Sequence, residues 1–179
     1  MISTMRCFVA IKPAGPLLTQ VAAVQDELRP AGADVRWIGP EELHLTLRFF
    51  GDLDDAAVSR LRKALGGVAA SQSRFTLTYA GLGEFPRVVW VGGSHDADPL
   101  AAAIEAASGL PPDKYGFKPH LTIGRIRSER GGKPLSAAIA ARKAVAIGAD
   151  AVTEFSLIQS TLLPQGPVYE VLESYALGP

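Results

Sequence analysis

The sequence predicts an α+β protein with mostly antiparallel sheet, in which two lobes pack face to face. Three observations carry this. Short β-rich runs are interspersed with stretches of helical periodicity, so both element types are present. Neighbouring strand-like runs are separated by only a few turn residues, enough for hairpins but not for the long crossovers of a parallel sheet. The order strand, helix, strand pair can be read in each half of the chain, with no Pro/Ser-rich linker between the halves. At 179 residues the chain can bury most of its surface without disulfide or metal staples.

"RCFVAIK" (Arg6 to Lys12) is short, apolar and closed by "PAGP", so it reads as a buried strand. Leu17, Leu18, Val21, Val24 and Leu28 then recur at helical spacing. "VRWIGP" is a short strand ending in a turn, and "LHLTLRFFG" is a strand rich in β formers. "DLDDAAVSRLRKAL" begins a helix, with Asp54 or Asp55 as its N-cap. "FTLTYAGLGEF" and "RVVWVGG" pair around a turn near Glu84 to Pro86. "DPLAAAIEAASGL" is an Ala-rich helix that Gly109 stops, and "HLTIGRIR" is a strand. After the loop "ERGGKP" comes a helix over "LSAAIAARKA". "AVTEFSLIQSTLL" and "VYEVLESYAL" are two strands joined at "PQGP".

Composition narrows the function classes. Lys plus Arg and Asp plus Glu number 18 each, so the net charge is zero, which argues against a broadly basic nucleic-acid coater but not against a local basic groove. The single cysteine, Cys7, lies in the apolar "CFVAI" and reads as a buried structural thiol. One cysteine permits no internal disulfide, as expected in a reducing compartment. No apolar run approaches the roughly 20 residues of a membrane span, and the start has no signal-peptide pattern. The expectation is a cytoplasmic protein without membrane attachment.

The chain has three histidines, and two stand in the same frame: "HLTL" at His44 and "HLTI" at His120. By composition alone, Thr at +2 from two of three histidines is expected roughly 0.6% of the time. In a strand, residues i and i+2 share a face, so His44 lies beside Thr46 and His120 beside Thr122, with Leu45, Leu47, Leu121 and Ile123 behind them. If the halves are related by an approximate two-fold axis, one cleft holds two imidazoles and two hydroxyls. That set suits in-line displacement at phosphorus, which needs a base for the entering oxygen and an acid for the leaving one. Zinc is a poorer fit, because two histidines lack the third and fourth ligands of the usual sites. His95, in "GGSHDADP", has no Thr at +2 and reads as a solvated loop residue.

The paired motifs resemble the H-x-T-x signatures of the two-histidine (2H) phosphoesterase superfamily. With the flanks "MRCFVAIKP", "VRWIGPEELHLTLRFFGDL", "FPRVVWVGG", "GFKPHLTIGRIRS" and "GPVYEVLESYAL", the chain resembles the RNA 2′,3′-cyclic phosphodiesterase, or 2′-5′ RNA ligase-like, family from about Met5 to Leu177. The first four residues fall outside the likeness. The resemblance implies one domain over 5–177, made of two intimate lobes with pseudo-two-fold symmetry, sheets facing a central cleft and helices outside. It implies hydrolysis of RNA 2′,3′-cyclic phosphate ends to 2′-phosphomonoesters, in some members with reversible 2′-5′ ligation. Matched by position, His44 is the proton donor to the 3′ leaving oxygen, His120 the base on the attacking water, and Thr46 and Thr122 the phosphate-binding hydroxyls. Arg125 matches a basic position of the family. It lies three beyond Thr122 and would face away from it in a regular strand, unless a bend or bulge near Gly124 re-aims it.

Basic residues cluster near the motifs: Arg48, Lys114, Lys118, Arg125, Arg127, Arg130 and Lys133. Half or more of them fit ordinary solvated charges, while Arg48 and Arg125 are candidate substrate contacts. Among the aromatics, Tyr169, Tyr115, Phe50 and Phe117 can stack on a base, although Phe50 and Phe117 fit core packing as well. The expected partners are RNA with cyclic phosphate ends, tRNA fragments among them, or small cyclic nucleotides, bound by a monomer without cofactor or metal. Two rival readings stand beside this one. The first is an RNA-end binding module without catalysis. The second is an enzyme of the same superfamily acting on 2′-5′ oligonucleotides or another small cyclic phosphate.

Overall fold

The computed structural model describes residues 4–179, and the first three residues lie outside it. Strand β1 (Thr4–Ile11) is fully buried from Cys7 onward, so it needs a hydrogen-bonding neighbour on each edge. On one side it pairs with β3 (Leu45–Asp54) and on the other with β8 (Glu154–Leu163), whose hairpin partner β9 (Gly166–Ala176) turns back at Pro164 and Gln165. This gives a four-stranded sheet in the order β3-β1-β8-β9. The second sheet has the order β2-β6-β5-β4-β7, from β2 (Val35–Trp37), β4 (Phe75–Phe85), β5 (Val88–Gly93), β6 (His120–Ile126) and β7 (Ala146–Val152). Every pairing between these strands is antiparallel.

The two orders superimpose when β3-β1-β8-β9 is laid over β6-β5-β4-β7, with β2 as an extra edge strand. β3 and β6, the strands that follow or carry the two histidines, then occupy equivalent places. The helix layers are exchanged between the sheets. Helix α1 (Pro16–Leu28) follows β1 but packs with α4 (Gly132–Ala140) on the second sheet. Helix α3 (Asp98–Ser108) follows β5 but packs with α2 (Asp55–Ser71) on the first. Leu17, Val21 and Leu28 of α1 and Leu61, Leu65 and Ile104 of α2 and α3 are buried in one continuous core. Burial of each such side chain contributes about 1.5–3 kcal/mol. Gly93 marks where the sheets meet: a Cβ there would lie 2.9 Å from Leu45 Cδ1 and 3.3 Å from Pro119 Cβ.

Asp54 is the N-cap of α2, its side chain accepting from the Ala57 N–H at 2.7 Å. Cys7 is buried, and His95 lies exposed in a 3₁₀ turn against Asp98. β8 and β9 return from the C-terminal end to complete the sheet that β1 begins. Two expectations are corrected. "AVTEFSLIQSTLL" is not one strand: the chain crosses between sheets at Thr153, leaving β7 in one and β8 in the other. The Gly/Ala-rich start of β7 has weak β propensity, and pairing with β4 makes it a strand. The last helix starts at Gly132, ahead of "LSAAIAARKA", because Pro134 is tolerated in a first turn, and it ends at Ala140, where the chain passes into turns.

Candidate active site

The two histidines are held alike. His44 precedes β3, and its Nδ1 is 2.7 Å from the carbonyl of Glu42; His120 opens β6, and its Nδ1 is 2.7 Å from the carbonyl of Lys118. A carbonyl only accepts, so Nδ1 carries the proton in both rings and Nε2 is left free. Both imidazoles and both threonine hydroxyls line one cavity of about 240 Å³ between the sheets. Each ring also meets the edge or face of an aromatic. Tyr169 stands edge-on to His44 at 5.0 Å and Phe85 edge-on to His120 at 5.4 Å between centroids.

A bulge follows each threonine. On β3, Thr46 pairs with Ala10 and Arg48 with Val9, so Leu47 is the extra residue. On β6, Thr122 pairs with Trp90 and Gly124 with Val89, so Ile123 is extra. One additional residue reverses the alternation downstream. On β6 the reversal brings Arg125 to the face of Thr122, where it lines the cavity with both histidines. On β3 the same reversal turns Arg48 away. Its side chain is 4% exposed, with Nη1 2.9 Å from Glu105 Oε2 and 3.8 Å from Asp113 Oδ2, and Nη2 donates to the carbonyl of Pro111. Arg48 therefore does not line the cavity that holds both histidines, since carboxylates already hold its guanidinium, although it forms part of the wall of the adjoining groove beside His120. Phe49 takes the place on β3 that Arg125 has on β6, and the Arg6 guanidinium lies 4.7 Å above its ring.

Other residues that shape the site were not singled out from the sequence. Arg36 lies directly across from Arg125 on β2, lines the same cavity, and pairs with Glu42 at 3.0 Å. Phe85, at the end of β4, flanks His120. Gln25 is buried in α1 and donates through Nε2 to the carbonyls of Ile38 and Ile123 at 2.8 and 2.9 Å. It thus braces the bulge that aims Arg125. A polar residue on the core face of an amphipathic helix was the available signal.

The model of the LigT-like phosphoesterase family matches residues 11–90 and 93–169. The chain belongs to this family. Among its relatives, the RNA 2′,3′-cyclic phosphodiesterase of Methanothermobacter thermautotrophicus is 32% identical, covering 97% of this chain and 99% of the relative. The Aquifex aeolicus protein of the same name is 36% identical over 80% of this chain and 82% of its own length. A crystal structure of a Thermus thermophilus protein superimposes with a TM-score of 0.81 at 27% identity, covering 97% of this chain and 98% of that one. Escherichia coli LigT complexed with 3′-AMP gives 0.79 at 27% identity, covering 99% and 100%.

In this LigT-like phosphoesterase the setting of His44 shifts its titration. Burial lowers the pKa of His44 below its ordinary 6.5; the Glu42 carbonyl opposes this, and the positive charges of Arg125, Lys12 and His120 reinforce it. His44 is thus harder to protonate in the folded chain than in the unfolded one. Below about pH 6.5 the unfolded chain binds more protons, so the stability from a neutral His44 is present above that pH and is lost as the pH falls toward the lowered folded value. The drop in urea midpoint from about pH 7 to about pH 5 should accordingly be smaller in His44→Gln than in the wild type. An anion placed between the rings draws His44 back toward its protonated form. Among the described residues there is no group of three or more His, Cys, Asp and Glu side chains set to hold a metal ion. No helix of the described chain is long and apolar enough to cross a membrane.

Proposed function

We propose that this phosphoesterase hydrolyses 2′,3′-cyclic phosphate ends of RNA to 2′-phosphomonoesters by paired acid–base catalysis. The carrying observation is the matched presentation of two imidazoles to one cavity, each with Nδ1–H committed to a backbone carbonyl and Nε2 free. His120 takes the proton of the attacking water. His44, protonated with the anionic substrate in place, gives its proton to O3′ as the P–O3′ bond breaks. Thr46 and Thr122 donate to the non-bridging oxygens, Arg125 adds positive charge, and Tyr169 offers an aromatic edge to the terminal nucleoside. A 5′-hydroxyl in place of water gives reversible 2′-5′ joining by the same steps. The names of the relatives support the RNA substrate, and the crystal structures of Escherichia coli LigT complexed with 3′-AMP and with phosphate support a nucleotide phosphate as ligand. The chain over 5–177 works as one unit, a cytoplasmic monomer, on RNA ends that include tRNA fragments or on small cyclic nucleotides.

Neither proton transfer needs a metal, so hydrolysis of a cyclic-phosphate-ended RNA should proceed at full rate in EDTA and yield a 2′-phosphate. Loss of turnover on chelation, restored by added divalent metal, would replace this mechanism with a metal-assisted one. Tight binding of the RNA end without turnover would favour the binding-module reading.

A further inference from the structure

Two grooves leave the histidine pair. One, of about 390 Å³, runs past His44, Tyr169, Arg125 and Arg6. The other, of about 740 Å³, opens at His120 and Thr46 and is walled by Phe49, Phe85, Tyr115 and Phe117. His44 lines only the first groove of these two and His120 only the second. In-line displacement places the entering oxygen opposite the leaving O3′. The terminal nucleoside, which carries O3′, therefore takes the His44 groove, and whatever bears the entering oxygen takes the other. Water needs about 30 Å³. The second groove is instead in the range of small-molecule pockets, about 300–1,000 Å³. Its aromatics are unusually open: Phe49 is 39%, Phe85 38% and Tyr115 75% exposed. The loop that carries Tyr115 is also pinned, since Arg48 reaches the Pro111 carbonyl and Asp113 from β3.

We propose that the groove beside His120 is a second nucleoside subsite, taking the nucleoside whose 5′-oxygen enters or leaves phosphorus. This rests on the division of roles given above. In the joining direction the P–O5′ bond forms and the P–O3′ bond breaks. The 5′-hydroxyl proton passes to His120 Nε2, and His44 supplies the proton that O3′ receives, leaving a 2′-5′ diester. In cleavage the 3′-hydroxyl of that diester attacks phosphorus and the 5′-hydroxyl nucleoside departs. The base stacks on Tyr115 and its neighbours, with Lys118 beside the sugar–phosphate.

The test compares two substrates in wild type, Tyr115→Ala and Tyr115→Phe. A 2′,3′-cyclic mononucleotide occupies only the His44 side, whereas a 2′-5′-linked dinucleotide occupies both. Tyr115→Ala should raise KM for dinucleotide cleavage about tenfold and leave cyclic mononucleotide hydrolysis unchanged, and Tyr115→Phe should restore the dinucleotide KM. An equal effect on both substrates, or none on the dinucleotide, overturns the subsite. Wild-type hydrolysis of the cyclic mononucleotide without cleavage of the dinucleotide overturns the subsite alone. Turnover of neither overturns the proposed function with it. A 3′-5′-linked dinucleotide ending in a cyclic phosphate completes the set: a rise in its KM with Tyr115→Ala would assign the groove to the upstream nucleotide and overturn the occupant proposed here.

Discussion

His120→Ala is expected to lower kcat for 2′,3′-cyclic nucleotide hydrolysis by roughly 10² to 10⁴-fold while the fold survives, because one proton transfer is removed. The ring packs only at a cavity edge, so circular dichroism of the variant should match that of the wild type. His44→Ala should cost a similar factor. Both groups act in one displacement, so the double variant should lose less than the product of the two singles. Their roles separate with the leaving group. A phosphodiester that expels p-nitrophenolate needs little acid assistance, so His44→Ala should keep most of its turnover and His120→Ala should not. The wild-type kcat/KM profile should be bell-shaped, its limbs belonging to the pair rather than to either residue. Thr46→Ala and Thr122→Ala should each cost about tenfold, the worth of a neutral hydrogen bond. Near-normal turnover by a folded His120→Ala protein would remove acid–base chemistry as the reason for the repeated motif.

Glu105→Ala is expected to destabilise the protein by about 3 kcal/mol, although Glu105 does not line the cavity of the two histidines. Its carboxylate is the near partner of Arg48, whose side chain is 4% exposed, and Asp113 is more distant at 3.8 Å. Losing Glu105 leaves a buried guanidinium poorly compensated. For a chain of this length that lowers Tm by roughly 6 to 12 °C. Arg48→Met should cost less, since it removes the buried charge and leaves carboxylates that reach solvent. Thermal melts of the two variants check the order. A milder effect for Glu105→Ala than for Arg48→Met would show that the ion pair is not what holds α3 and the 111–113 loop to β3.

Much of the site was legible because it is local. His44 with Thr46 and His120 with Thr122 are i, i+2 pairs, and the pleat alone puts each pair on one face. The Asp54 cap and the hairpins at "PQGP" and near Pro86 were readable for the same reason, as turn and cap chemistry depends on adjacent residues. Arg48 and Arg125 show where such reading stops. Both follow a His-x-Thr motif, at +2 and +3 from the threonine, and simple alternation would send Arg48 to the cleft and Arg125 away from it. The bulges at Leu47 and Ile123 do the reverse.

A bulge is decided by two strands together, by the pairing of β3 with β1 and of β6 with β5, and by Gln25 of α1 on the Ile123 carbonyl. None of these partners lies near the motif in the chain. The pairing of Arg36 with Glu42 opposite Arg125, the exchange of α1 and α3 between the sheets, and the return of β8 and β9 to β1 are likewise set by long-range contacts. The sequence by itself determined the two imidazole–hydroxyl pairs, the element types and the antiparallel class, each written in short-range periodicity. Only the tertiary structure decided which cation meets the phosphate cavity and which is buried against carboxylates, because an extra residue in a strand shows only against the partner it fails to match.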